Sequence, residues 1–268
     1  MGARRLDVPS ILPIEAADDP RLADYVDLTD PARRTRREED GGFFIAESPF
    51  VVRSLLRSGR AVRSVLVTPK QHEALAADLE HLDAPIYVAP HAVLRRVVGF
   101  DLHRGAVAAA NRWPLPPVAD VLRGARRVAV LQKLNDHENL GVLFRSAAAL
   151  GVDAVLLDTE CADPLYRRAV RVSIGHVLTV PWTRVDSLAD VRAAGFSLVA
   201  MTPSEDAIDI ASVAWPERAA LLLGAEGPGL SRAWLDAADI RARIPMRASV
   251  DSLNVATAAA ITFYASTR

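Results

Sequence analysis

Short apolar runs alternate with amphipathic stretches along the first 110 residues or so, and the spacing changes with each run. Phe43–Ala46, Val62–Val67 and Pro85–Ala89 read as strands, while Ser48–Leu56 and Gln71–His81 repeat their apolar positions at helical spacing. This βαβ rhythm predicts a small α/β domain. Pro114, Pro116 and Pro117 fall within Asn111–Val118 and predict a linker. We therefore divide the chain into an N-terminal domain at 1–113, a linker at 114–125 and a second domain at 126–268.

From Arg127 the alternation restarts. Strands are predicted at Val128–Leu131, Ala154–Leu157, Leu178–Pro181, Ser197–Met201, Ala219–Leu223 and Arg241–Ile244, and helices at Gly141–Leu150, Pro164–Val172 and Ser252–Ala265. Such an order predicts an α/β fold with a mostly parallel sheet covered by helices. Ligands of open parallel sheets sit at the carboxyl ends of the strands, so loops that follow strands carry the search for chemistry.

Composition narrows the classes. With 268 residues, 50% hydrophobic and 24% charged, the chain has material for one large domain or two ordinary ones, and a disordered or fibrous protein is excluded. Lys plus Arg is 32 against 33 for Asp plus Glu, so a nucleic-acid surface must be a local patch. The densest basic run, Arg33-Arg34-Thr35-Arg36-Arg37, is followed at once by Glu38-Glu39-Asp40. It reads equally as a self-compensated solvated face or as a contact to RNA phosphates. The single cysteine, Cys161, cannot close an intramolecular disulfide, and the six histidines lack metal-ligand spacing, so no metal is expected. Met1–Asp7 carries no apolar signal core, and no stretch approaches the roughly 18–20 apolar residues of a membrane span. A soluble, cytoplasmic protein is the expectation.

Phosphate-loop, nucleophile-elbow and zinc-protease signatures are missing. Three segments stand out instead, each after a predicted strand. In Asn135–Arg145 a polar turn opens a helix, with Asn139 at or near its N-cap and Arg145 set among apolar neighbours. In Leu221–Leu230 an apolar strand runs into Gly224-Ala225-Glu226-Gly227-Pro228-Gly229, where three glycines allow close backbone approach around one carboxylate. In Ile244–Ile261 a short loop joins a strand to an alanine-rich helix, with Ser252 a natural N-cap. Each taken alone reads as structure.

In this order and spacing the three segments resemble the three motifs of the SpoU (TrmH) family of the SPOUT methyltransferase superfamily. Its members transfer a methyl group from S-adenosylmethionine to a ribose 2′-oxygen of tRNA or rRNA. The resemblance covers residues 126–268, and the N-terminal part, including Gly99–Ala108, is similar to the ribosomal-protein-like RNA-binding domain that many members carry. It implies a deep trefoil knot, an exception to the no-knot rule, with S-adenosylmethionine as cofactor, RNA as partner and a homodimer that completes the site across its interface. By the same resemblance, Asn139, Arg145, Glu226, Ser252 and Asn254 fall on the catalytic motif positions. Gly224, Ile244 and Leu253 fall on positions whose backbone holds the adenosyl part, and Met246 joins them as cofactor-binding. Two departures stand out: Ala248 occupies a place where glycine is usual, and strains the loop if φ there is positive; His176 stands where a small residue is common.

A guanidinium is a poor proton acceptor, so Arg145 is expected to bind the target phosphate or stabilise the developing alkoxide, with the proton passing to a phosphate oxygen or water. Asn139 and Glu226 are expected to fix the Arg145 side chain and the loops, while Ser252 and Asn254 shape the third loop. Glu226 reads alternatively as an acceptor for backbone N–H groups. Ribosomal RNA is favoured over tRNA as substrate; an antibiotic-resistance type of rRNA methylation and a non-catalytic RNA-binding protein on the same scaffold are the alternatives. A dinucleotide-dependent dehydrogenase is excluded, because the Gly224–Gly229 turn comes too late and is wrongly spaced.

Overall fold

The computed structural model describes residues 10–26, 28, 29, 38, 40–102, 104–247 and 250–267. The Arg33–Arg37 run, His103 and Ala248 lie outside the described residues. The chain folds as two units, one of residues 1–113 with 165–178 and one of residues 114–164 with 179–268.

Among the described residues, five strands build the first unit: β1 (Ile11–Pro13), β2 (Phe43–Glu47), β3 (Val62–Val67), β4 (Ile86–Val88) and β5 (Ala106–Asn111), in the order β1-β4-β3-β5-β2. β1, β4 and β3 run parallel, and β5 is antiparallel to both of its neighbours. The expected helix at Gln71–His81 is instead two short helices, Pro69–Ala74 and Ala76–Leu79, and Thr68 caps the first of them. Tyr25 is wholly buried in the core, with its hydroxyl 2.7 Å from Ser64 Oγ, and that burial raises the hydroxyl's pKa.

The second unit holds a seven-stranded, wholly parallel sheet in the order β10-β12-β9-β11-β6-β7-β8. Its strands are β6 (Arg127–Gln132), β7 (Ala154–Leu157), β8 (Trp182–Arg184), β9 (Ser197–Met201), β10 (Ile208–Asp209), β11 (Ala219–Gly224) and β12 (Ile240–Arg243). Central β11, Ala-Ala-Leu-Leu-Leu-Gly, is buried for its first five residues, as a strand covered on both faces requires. The strand expected at Leu178–Pro181 is a correction: His176–Leu178 forms a 3-10 turn, and pairing with β7 begins at Trp182, past the Pro181 that lacks an N–H. In 114–125, the helix Val118–Val121 packs with Leu122 and Ala125 into the sheet core, and Thr183 Oγ1 donates to Pro116 O at 2.6 Å. Among the described residues no helix is long and apolar enough to cross a membrane.

Register places the site. Gly224 at the end of β11 pairs with Gln132 at the end of β6, so the loops that follow leave the sheet side by side. β9 lies between β11 and β12, which brings the loop after β12 to the same edge.

Candidate active site at the carboxyl edge of the parallel sheet

Asp136, not Asn139, caps the helix His137–Leu150: its Oδ1 accepts from the N–H groups of Glu138 and Asn139, both at 2.8 Å. Asn139 therefore sits in the first turn with its amide released for a longer reach. Asn139 Nδ2 donates to Glu226 Oε1 at 2.9 Å. The last helix, Val255–Ser266, begins three residues later than expected and is capped by Asn254 rather than Ser252. Asn254 Oδ1 accepts from Ala256 N at 3.0 Å and Thr257 N at 3.2 Å, while its Nδ2 donates to Asn139 Oδ1 and Glu226 Oε1, each at 2.8 Å. Asn139, Glu226 and Asn254 thus close a ring of hydrogen bonds that joins three loops from separate parts of the chain.

Glycines hold Glu226 in place. Gly229 N donates to Ala225 O at 3.0 Å, with φ of +86° at Gly227 and +66° at Gly229, so the turn folds back on the strand end. A Cβ on Gly224 would lie 2.2 Å from the carbonyl carbon of Gly229, which leaves room for glycine alone. Behind the turn, buried Gln132 donates through Nε2 to Ser231 Oγ at 2.9 Å and accepts from Ser231 N at 2.7 Å. The sequence reading passed over this tie, because a lone glutamine at a strand end carries no signal.

Two members of the ring, Glu226 and Asn254, line a cavity of about 430 Å3. Gly224, Ile244, Met246 and Leu253 line it, together with Glu226, Ser252 and Asn254. Met201 and Thr202, at the end of β9, complete the wall and were missed, although the rule that ligands gather at strand ends points to them. Apolar side chains and the backbone of a glycine-rich turn suit a flat heterocycle, and the one carboxylate suits a cationic substituent. Among the described residues no group of three His, Cys, Asp or Glu side chains is placed to hold a metal ion. Cys161 is buried below the β6 loop; burial pushes its thiol up to about 12, and its sulfur lies 3.3 Å from Leu131 O and from Leu134 N.

Arg145 is not part of the ring. It is exposed and makes no hydrogen bond or ion pair among the described residues, and it stands six residues beyond Asn139, about 9 Å further along the helix. Within one chain Asn139 and Glu226 bond each other and Asn254, and neither bonds Arg145. Glu226 likewise accepts from side-chain amides rather than from backbone N–H groups. His176 lies in the segment 165–178 and does not line the cavity.

Residues 126–264 match the model of the SpoU rRNA Methylase family. A protein of Mycobacterium tuberculosis (strain ATCC 25618 / H37Rv) named as an uncharacterized tRNA/rRNA methyltransferase is 51% identical over 259 residues, covering 94% of this chain and 90% of its own. The 23S rRNA (guanosine(2553)-2'-O)-methyltransferase RlmP of Bacillus subtilis (strain 168) is 28% identical over 94% of this chain and 97% of its own. The crystal structure of an AdoMet-bound rRNA methyltransferase from Sinorhizobium meliloti superposes with a TM-score of 0.81 at 24% identity, covering 96% of this chain and 97% of that one.

Proposed function

The chain belongs to the SpoU rRNA methylase family, and on that premise we propose that it methylates a ribose 2′-hydroxyl of structured RNA, with S-adenosylmethionine as donor and ribosomal RNA as the favoured substrate. The observation that carries this reading is the cavity lined by Glu226 and Asn254 at the carboxyl edge of the parallel sheet, with Asn139 hydrogen-bonded to both from outside the lining. The full-length similarity to RlmP, an rRNA 2′-O-methyltransferase by name, supports the ribosomal substrate. Residues 223–230 line the same cavity as Ile244, Met246, Ser252, Leu253 and Asn254, which supports the trefoil knot implied by the family motifs.

When bound, S-adenosylmethionine supplies a methyl carbon made electrophilic by its sulfonium. Gly224, Ile244, Met246 and Leu253 hold the adenosyl part by apolar contact and backbone hydrogen bonds. The carboxylate of Glu226, kept oriented by Asn139 and Asn254, would offset the positive charge of the bound sulfonium. Ser252 shapes the loop that closes the cavity. The ribose oxygen must be held about 3 Å from the methyl carbon and relieved of a proton. Arg145 anchors the phosphate beside the target or stabilises the alkoxide as it forms, and the proton leaves to a phosphate oxygen or water.

A homodimer fits the position of Arg145. Arg145 shares an exposed face of its helix with Val142, and the helix packs against Val255–Ser266, which exposes Ile261 and Tyr264. We propose that a second copy of the chain covers these exposed apolar residues, with Arg145 offered to the partner's cavity. Residues 1–113 serve as the RNA-binding domain, and the cytoplasm is the assigned compartment. The test is transfer of labelled methyl from S-adenosylmethionine to separated unmodified rRNA and tRNA, with Arg145→Ala as control. Label on a ribose 2′-oxygen of rRNA, lost in the variant, is the expected result. No transfer together with no cofactor binding by calorimetry would sink the proposal.

A further inference from the structure

A second cavity, of about 410 Å3, lies within the first unit. β2 ends there in Glu47, a buried carboxylate, and the chain turns at Ser48 into the helix Pro49–Arg57 that Ser48 caps. Ser48 has φ of +94° and Ile174, which also lines the cavity, has φ of +52°. A β-branched residue in the left-handed region is an outlier that persists only where its surroundings hold it, and such outliers gather at binding sites. The segment 165–178 supplies two arginines: Arg167 Nη1 donates to Glu47 Oε2 at 2.7 Å, and Arg171 Nη1 stands 3.5 Å from Glu47 Oε1. Glu47 therefore aims both guanidiniums along one wall.

Aromatic rings meet arginines twice around this cavity. Arg167 lies 4.7 Å from the ring centre of Phe100, and Arg104 lies 5.3 Å from that of Phe50. Phe50 is 55% exposed, and Arg104 is exposed with no ion pair among the described residues. Three arginines face two carboxylates, Glu47 and Asp101, and Asp101 stands 3.5 Å from His91 Nε2. The wall thus keeps an uncommitted positive charge beside an uncovered ring.

We propose that this cavity holds one unpaired nucleotide of an RNA, with its base in the stack of Phe50 and Arg104 and its phosphate on Arg104 and Arg171. Bases taken out of a helix stack on aromatic rings and guanidinium planes, and arginine forks match phosphate oxygens. Ser48 and Phe50, at the N-terminal end of the helix Pro49–Arg57, line the same cavity, where the helix dipole adds a partial positive charge for the phosphate. The volume lies in the range of sites for small ligands. The choice of RNA over a free nucleotide as source rests on the methyltransferase reading.

The experiment is anisotropy binding of a short fluorescein-labelled single-stranded RNA of mixed sequence to the full-length protein, over a series of KCl concentrations. Phe50→Ala is expected to weaken binding about tenfold at unchanged salt slope, because it removes a stack and no charge. Arg104→Ala is expected to weaken binding and to lower the slope by about 0.7, the value for one phosphate contact to a single strand. Arg232→Ala, an exposed arginine of the second unit, serves as the control for general charge. Phe50→Ala and Arg104→Ala binding like wild type, or losing no more than Arg232→Ala, would overturn the site. Displacement of the RNA by uridine 5′-monophosphate at equal concentration would overturn RNA as the source. Melting temperature checks folding, and Phe50→Leu keeps bulk without the ring if Phe50→Ala melts early. Calorimetry with S-adenosylmethionine on the same proteins reads the methyltransferase site separately, so its failure there leaves the RNA result standing.

Discussion

Asn254 spends all four of its hydrogen-bonding positions: two acceptor contacts cap a helix and two donor contacts hold Asn139 and Glu226. Asn254→Asp keeps the cap and loses both donors, setting a second carboxylate against Glu226. Cofactor affinity by calorimetry is expected to fall more than about tenfold at neutral pH. It should then recover in part toward pH 5, because two facing carboxylates raise one another's proton affinity and protonation relieves the repulsion. A variant whose affinity keeps falling as the pH drops would contradict the ring. Gly224→Ala forces a methyl against the Gly229 backbone, which has no side-chain rotamer to yield. Its urea midpoint should drop by the equivalent of at least about 1–3 kcal/mol, and cofactor binding should be lost. Cys161, with its thiol pushed up to about 12 by burial, should resist iodoacetamide at pH 8 until the protein is unfolded, as mass spectrometry would record.

Whole strands and helices differ in how openly the sequence declares them. β7, β9 and β11 are legible because buried parallel strands are near-continuous apolar runs, and β3 through its apolar end Val65–Val67. β5 is not: Ala-Val-Ala-Ala-Ala-Asn has little intrinsic strand preference, and pairing on both sides with β2 and β3 makes it a strand. Asn139, Glu226 and Asn254 were found as motif positions, whereas their mutual bonding was not, since spacing along a chain says nothing of which loops meet. The Gln132–Ser231 tie belongs to this scale, because it couples the end of β6 to the helix Arg232–Ala237. A double-mutant cycle of Gln132→Ala and Ser231→Ala, read by urea unfolding, should give a coupling of about 0.5–3 kcal/mol. Strict additivity would show that the two side chains do not stabilise one another.

The chain as a whole is less linear than its domains suggest. Residues 165–178 fold with the first unit, and Arg167 reaches Glu47 across 120 positions. A pattern read locally cannot reveal such an exchange. The proposed dimer is also a property of the whole molecule. Ile261→Glu with Tyr264→Glu places charges on the apolar stripe of the last helix, and sedimentation should then show monomers that bind cofactor but no longer transfer methyl. Dimers surviving that change would move the interface elsewhere.

The ring of Asn139, Glu226 and Asn254 spans 115 positions between its two asparagines. Strands β6, β7 and β8 can pair while the chain is still being made, yet the ring cannot close until residue 254 has left the ribosome. A nascent chain therefore carries no assembled pocket, and competence switches on only after synthesis has passed that point.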